Sequence, residues 1–188
     1  MTTVNQYFRI NKWTYEEFLA VYEPQDASIW RSSRDQTLLH LALHNGTPAV
    51  RVQIADRLLD DGVDATAVSS SEQVNALHIL FGENRHDFAL EVPLLERLLD
   101  AGADLNGVSR VWGTPLQMLN RQFKFFDAEL APFYDVVFAR PGIDLLKPGE
   151  QGRSSLQSAR LAGPRRSDLR ERIETYLTEH GQTVPPAD

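Results

Sequence analysis

His40 and His44 stand four residues apart, the spacing that places two imidazoles on one face of a helix. Two such rings could share a metal ion. A zinc-protease motif, however, needs glutamate directly after the first histidine. This chain has Leu41 there, and no third ligand accompanies the pair. No metal site and no cofactor are therefore expected. Asp60 and Asp61 are adjacent. On a helix such neighbours point apart, so they suit the surface near a helix end better than an acid/base pair. Residues 69–71 are serines, without the glycine-rich turn and following lysine of a phosphate loop. Neither Gly-x-Ser-x-Gly nor Gly-x-Gly-x-x-Gly occurs. The run from Gly163 to Arg166 (GPRR) could touch phosphates, but it is a lone cluster in an acidic chain. The absence of cysteine excludes disulfides, thiolate catalysis and Cys-based metal sites. One reading from the enzyme class stays open as the alternative: a metal-binding or hydrolytic enzyme using His40, His44 and nearby carboxylates.

The elements that must position any site come from an ordinary globular composition. The 188 residues fit one domain, and 42% hydrophobic with 24% charged residues is too apolar for a disordered chain. Folding at this length hides about 70% of the unfolded surface, so no metal or disulfide is needed to hold it. No apolar stretch approaches the roughly 18 residues of a membrane span, and the first residues lack the apolar run of a secretory signal. A cytoplasmic location without membrane contact is the expectation. The net charge of −7 disfavours non-specific nucleic-acid binding and suits a basic or neutral protein partner. Residues 153–172 depart from this balance, with six arginines against Asp168 and Glu171. A solvated face is the plain reading of that run.

Self-similarity decides the architecture. LLDDGVDATAV from Leu58, LLDAGADLNGV from Leu98 and VFARPGIDLLKP from Val137 place Gly62, Gly102 and Gly142 at steps of 40 residues. Asp64, Asp104 and Asp144 follow at the same steps. Glycine accepts the left-handed conformation that ends a helix, and the aspartate can tie its carboxylate to nearby backbone amides. Gly181 closes a further helical stretch. Interleaved with these turns are TLLHLALHNG from Thr37, NALHILFGEN from Asn75, TPLQMLNRQ from Thr114 and SSLQSARLAG from Ser154. Each opening Thr or Ser reads as a helix cap worth about 1 kcal/mol.

This order of Thr-Pro-Leu-His-x-Ala, a helix, and a second helix ending in Leu-Leu-x-x-Gly-Ala-Asp resembles the ankyrin repeat. Thr37, Leu39, His40 and Ala42 match it best in the first unit, and Leu98, Leu99, Gly102, Ala103, Asp104 and Asn106 in the second. Thr114, Pro115 and Leu116 give the best opening in the third. The units exceed the usual period of about 33 residues by five to seven. The extra residues are expected between the paired helices, at 45–51, 82–92, 122–131 and 163–167. Gln117 and Gln157 stand where the family has histidine, and the fourth unit matches least.

The resemblance implies an all-α fold, an ankyrin-like helix-turn-helix solenoid of about four lengthened repeats with capping helices at both ends. Units are expected near 33–69, 70–109, 110–149 and 150–181, within one domain spanning 13–181. Residues 13–22 (WTYEEFLAVY), opened by Thr14 with Glu17 three on, read as an amphipathic lid within a cap over 13–32. Trp13, Phe18, Leu19 and Tyr22 are expected to cover the first unit. Residues 1–12 and 182–188 are expected to be flexible. The resemblance makes His40 and His78 structural links between neighbouring turns.

It also implies a non-enzymatic protein-binding role, through a concave face of turn tips and first helices. The chain is expected to be a monomer, with a stand-alone inhibitor or immunity protein acting on a basic partner as the narrower form. The contacts expected there are Arg34, Gln36, Val74, Arg110, Trp112 and Arg153 at the tips, and His44, Asn45, Glu83 and Arg121 on the helices. Trp112 could either pack on a neighbouring turn or project as a contact anchor.

Overall fold

The computed structural model describes residues 6–186. Among them the regular structure is all-helical, apart from one isolated bridge between Ser109 and Gly113. A 3-10 helix (Gln6–Lys12), α1 (Tyr15–Leu19) and α2 (Asp26–Ile29) come first. Four helix pairs follow: α3 (Leu38–Leu43) with α4 (Pro48–Asp60), α5 (Ala76–Gly82) with α6 (Phe88–Asp100), α7 (Pro115–Asn120) with α8 (Asp127–Phe138), and α9 (Ser155–Leu161) with α10 (Ser167–Glu179). No helix is long and apolar enough to cross a membrane.

The same local chemistry starts every first helix. Thr37, Asn75, Thr114 and Ser154 each accept from the backbone amide three residues on, and that residue's side chain reaches back to the cap amide. Such reciprocal bonds satisfy two amides that an open helix end leaves free. The second helices stop as the glycine spacing requires. Gly62, Gly102, Gly142 and Gly181 have φ of +79°, +92°, +77° and +69°. Val63 N–H then reaches Leu58 O (2.9 Å) and Ala103 N–H reaches Leu98 O (2.9 Å), wrapping the helix ends. Oδ1 of Asp64, Asp104 and Asp144 accepts from the amides of Thr66, Asn106 and Leu146 at 3.0, 2.7 and 3.3 Å.

Two rows of helices result. α3, α5, α7 and α9 each touch the next, and so do α4, α6, α8 and α10. Between the rows one apolar core runs from Tyr7 to Leu177, with Leu39, Ile54, Leu77, Leu95, Phe133 and Ile173 wholly buried. Each such side chain contributes roughly 1.5–3 kcal/mol.

Several expectations are corrected. The second helices begin earlier than the sequence reading allows, at Pro48, Phe88 and Asp127, so the connecting loops are shorter. Pro93 and Pro132 look like breakers but stand in the early part of α6 and α8. There a proline removes one early bond. Asp87, whose Oδ1 accepts from Leu90 N–H (3.3 Å), and Glu129, whose Oε2 accepts from Phe126 N–H (2.8 Å), hold the first turns. The start is not loose over residues 6–12, because Tyr7 and Ile10 are fully buried; residues 1–5 lie outside the described residues. Phe18 and Tyr22 do cover the first pair, but Leu19 is exposed. At the other end Val184 packs on the core and Pro186 O accepts from Arg160 Nη1 at 2.9 Å.

Two arginines with no exposed surface pin the inter-helix loops. Arg51 donates to the carbonyls of Asn45 (3.1 Å) and Arg85 (3.0 Å) and pairs with Glu83 and Glu91. Glu91 is also fully buried, and its other oxygen lies 2.8 Å from Nδ1 of His86, whose ring packs among Phe88, Phe125 and Phe133. Arg166 donates to the carbonyls of Asn120, Gln122 and Phe125 at 2.9, 2.7 and 3.1 Å and faces Asp127 at 3.5 Å. Loops that would otherwise leave carbonyls unbonded are thereby held in one shape.

Candidate interaction face

Four tight reversals precede the caps. Their closing bonds run from Ser32 N–H to Gln36 O (2.9 Å), Ser69 N–H to Val74 O (2.9 Å), Ser109 N–H to Gly113 O (2.8 Å) and Gly149 N–H to Arg153 O (2.8 Å). Asp35, Gln73 and Gln151 take φ of 53–58°. Non-glycine residues there carry backbone strain, which persists only where surroundings hold it. Neighbouring tips are tied by Ser70 N–H to Arg34 O and Arg110 N–H to Glu72 O, both 2.9 Å.

The third residue of α3, α5 and α7 makes the link to the next unit. His40 Nδ1 accepts from Thr37 N–H (3.2 Å) and Nε2 donates to Val74 O (3.3 Å). His78 repeats this with Asn75 N–H (3.2 Å) and Gly113 O (2.9 Å). Gln117 does the same with an amide: Oε1 accepts from Thr114 N–H (2.9 Å), and Nε2 donates to Arg153 O (2.8 Å). Burial holds the His40 pKa down to about 4, and burial also lowers that of His78. Both rings are therefore neutral near pH 7, with one nitrogen accepting and the other donating. Gln117 Oε1 also takes Glu150 N–H (3.1 Å), in so narrow a gap that a Cβ on Gly113 or Gly149 would lie 2.0 Å from it.

With both ring nitrogens engaged, His40 is not free to bind metal alongside His44. No group of three or more His, Asp or Glu is placed to hold a metal among the described residues.

The structure sorts the expected contacts. Arg34, Arg110 and Arg153 are exposed at the tips. None of the three has a carboxylate within ion-pair distance among the described residues; Arg153 Nη1 donates to Gln151 Oε1 at 2.5 Å. Val111 between them is 47% exposed. Trp112 both packs and projects. Its Nε1 donates to Glu72 Oε2 (3.2 Å), Arg121 lies 5.2 Å over its ring, and part of the ring stays open. Arg121 is in turn paired with Glu150. His44 Nδ1 lies 3.0 Å from Glu83 Oε1, which sets both at the far end of the inner helices.

Two expected contacts are corrected. Asn45 is 2% exposed, because its amide donates to the carbonyls of Ile10 and Trp13, both at 3.0 Å, and so fastens the N-terminal cap. Val74 packs against the core, and its carbonyl serves His40. Gln36 is half-buried and closes its own reversal. Glu72, itself a residue of the second tip, and Glu150, outside the expected tips, fix the tryptophan patch. Glu72 lies 40 residues before Trp112, so the repeat step itself signals that contact.

A protein from Leptotrichia buccalis C-1013-b, described as functionally unknown, has a crystal structure similar to this one. The TM-score is 0.72 at 20% identity, covering 95% of each chain, which shows a shared fold. No protein-family model matches the sequence, and no curated protein matches it.

Proposed function

We propose that the chain is an ankyrin-like helix-turn-helix solenoid that acts as a non-enzymatic protein-binding module, using its tip edge and first-helix row. The reading is supported by the 40-residue step of caps and turn glycines and by the two rows of helices in sequential contact. One observation carries the function. Three tip arginines have no carboxylate within ion-pair distance among the described residues, beside exposed Val111 and partly open Trp112, on a backbone fixed by tip-to-tip bonds. Arginine and tryptophan are the residues most often found as binding anchors, and a rigid strip binds with little ordering cost.

The local field at the tips also refines the partner. The net charge suggests a basic or neutral partner, but the tips offer unpaired cations, and association is governed by the surface that meets the partner. With exposed Asp35 and Glu72 on the same edge, the tips fit a partner surface of mixed charge that sets carboxylates opposite Arg34, Arg110 and Arg153. A stand-alone inhibitor or immunity protein is the narrower form of this function.

Replacing Arg110 and Trp112 by alanine tests it. Capture of partner from lysate of the source cells is expected to fall at least tenfold, with the melting temperature within about 2 °C of the parent. Unchanged capture, or a parallel loss of capture and thermal stability, would overturn the assignment.

A further inference from the structure

The loop joining α7 to α8 lies at the other end of the helices from the tips, since it follows the first helix of its pair and each reversal precedes one. It exposes two aromatic rings, Phe123 at 55% and Phe126 at 60%. Arg165 from the next unit lies over both, 4.6 Å from the Phe126 ring centre and 6.0 Å from that of Phe123, and donates to the Phe123 carbonyl. Lys124 donates to Asn84 O at 2.7 Å, which joins this loop to the one before it.

Neither cation has a carboxylate within ion-pair distance among the described residues. The nearest acids in sequence are otherwise engaged. Asp127 takes the Tyr134 hydroxyl (3.0 Å), the Asp168 amide (2.9 Å) and Arg166, and Glu129 takes the Phe126 amide. The loop is also rigid, being the one whose carbonyls Arg166 gathers. A fixed loop that holds two phenyl rings in water, with an unneutralised guanidinium stacked on them, is arranged for contact rather than for stability.

We propose that this loop edge is a second docking surface, taking a partner-protein segment that sets a carboxylate beside a large apolar side chain. The rings would receive the apolar group and Arg165 and Lys124 the carboxylate. Two cations without a carboxylate partner among the described residues, on a chain of net charge −7, are too few for a nucleic-acid backbone or an anionic membrane, both of which reward many phosphate contacts.

The test uses the full chain carrying Arg110→Ala and Trp112→Ala, so that the tip edge contributes little. A displayed library of random 12-residue peptides is selected on it. Selected peptides are expected to join Asp or Glu to an aromatic or large aliphatic residue. They are expected to bind at least tenfold more weakly once Phe123→Ser and Phe126→Ser, or Arg165→Gln, are added. Both rings are exposed, so the phenylalanine pair should melt with its parent; if Arg165→Gln melts early, that pair decides alone. Selection without acidic enrichment, or peptides that survive the loss of both rings, would overturn the proposal. So would ring-dependent binding of 20-residue polyuridylate, or of vesicles with 30% phosphatidylserine, in place of acidic peptides. None of these outcomes depends on whether the tip edge binds a partner.

Discussion

Along the row of second helices Arg97, Arg140 and Arg172 each meet an aspartate of the preceding unit, whereas at the tips three arginines meet none among the described residues. Arg97 reaches Asp56 (2.5 Å) and Asp60 (2.6 Å), Arg140 reaches Asp100 (2.5 Å), and Arg172 reaches Asp135 (2.6 Å). The steps are near 40 residues, so the ladder is another product of the repeat. Exposed pairs of this kind contribute only about 0–1 kcal/mol. What the ladder achieves is local neutrality around Arg97, Arg140 and Arg172, which Arg34, Arg110 and Arg153 at the tips do not have. Identical residue types thus have opposite roles, separated by whether the repeat supplies a partner one unit away.

The contrast can be broken most severely from beneath. Glu91→Ala leaves Arg51 as a buried charge with its main partner gone and is expected to destabilise by about 3–5 kcal/mol. Denaturant titration should show that loss as one transition, with both edges disappearing together. An intermediate effect comes from the imidazole links. The folded state holds His40 and His78 below the unfolded value of about 6.5, so the unfolded chain binds more protons. Their stability is therefore fully present above about pH 6.5 and falls as pH drops towards 4. In the His40→Gln and His78→Gln double variant, which copies the bonds of Gln117, the melting temperature should drop less between pH 7 and pH 5 than in the parent. An equal drop in both proteins would show that other groups carry the acid sensitivity. The smallest effect belongs to the ladder. Arg97→Ala should lower stability by at most about 1 kcal/mol and leave partner binding unchanged, and a loss of binding there would erase the distinction between the two edges.

The frame was legible because its signals are local. A glycine at a helix end and a hydroxyl at a helix start state their roles within four residues, and the 40-residue step then multiplies them. The two rows and the tryptophan patch follow from that step. What stayed hidden depends on distant backbone. Asn45 reads as a surface neighbour of His44, but the carbonyls that bury it belong to Ile10 and Trp13, on a segment that carries no repeat. Arg51 reads only as the end of a connecting loop and Arg166 as part of a solvated run, because nothing nearby in sequence announces carbonyls needing donors. The starts of α4, α6 and α8 stayed hidden because the residues beyond the usual period read as loop, whereas several of them lengthen the second helices.

The wedged amide of Gln117 has a consequence for descent. Gly149 cannot gain a methyl while that side chain remains, and a shorter residue at 117 would remove its two tightest contacts; Gly113 stays fixed either way, by its φ of +72° and by the Glu150 backbone nitrogen that would lie 2.6 Å from a Cβ. Positions 117 and 149 therefore constrain one another across 32 residues of chain, while position 113 requires glycine throughout. In homologues 117 and 149 should drift together, a correlation readable without any structure.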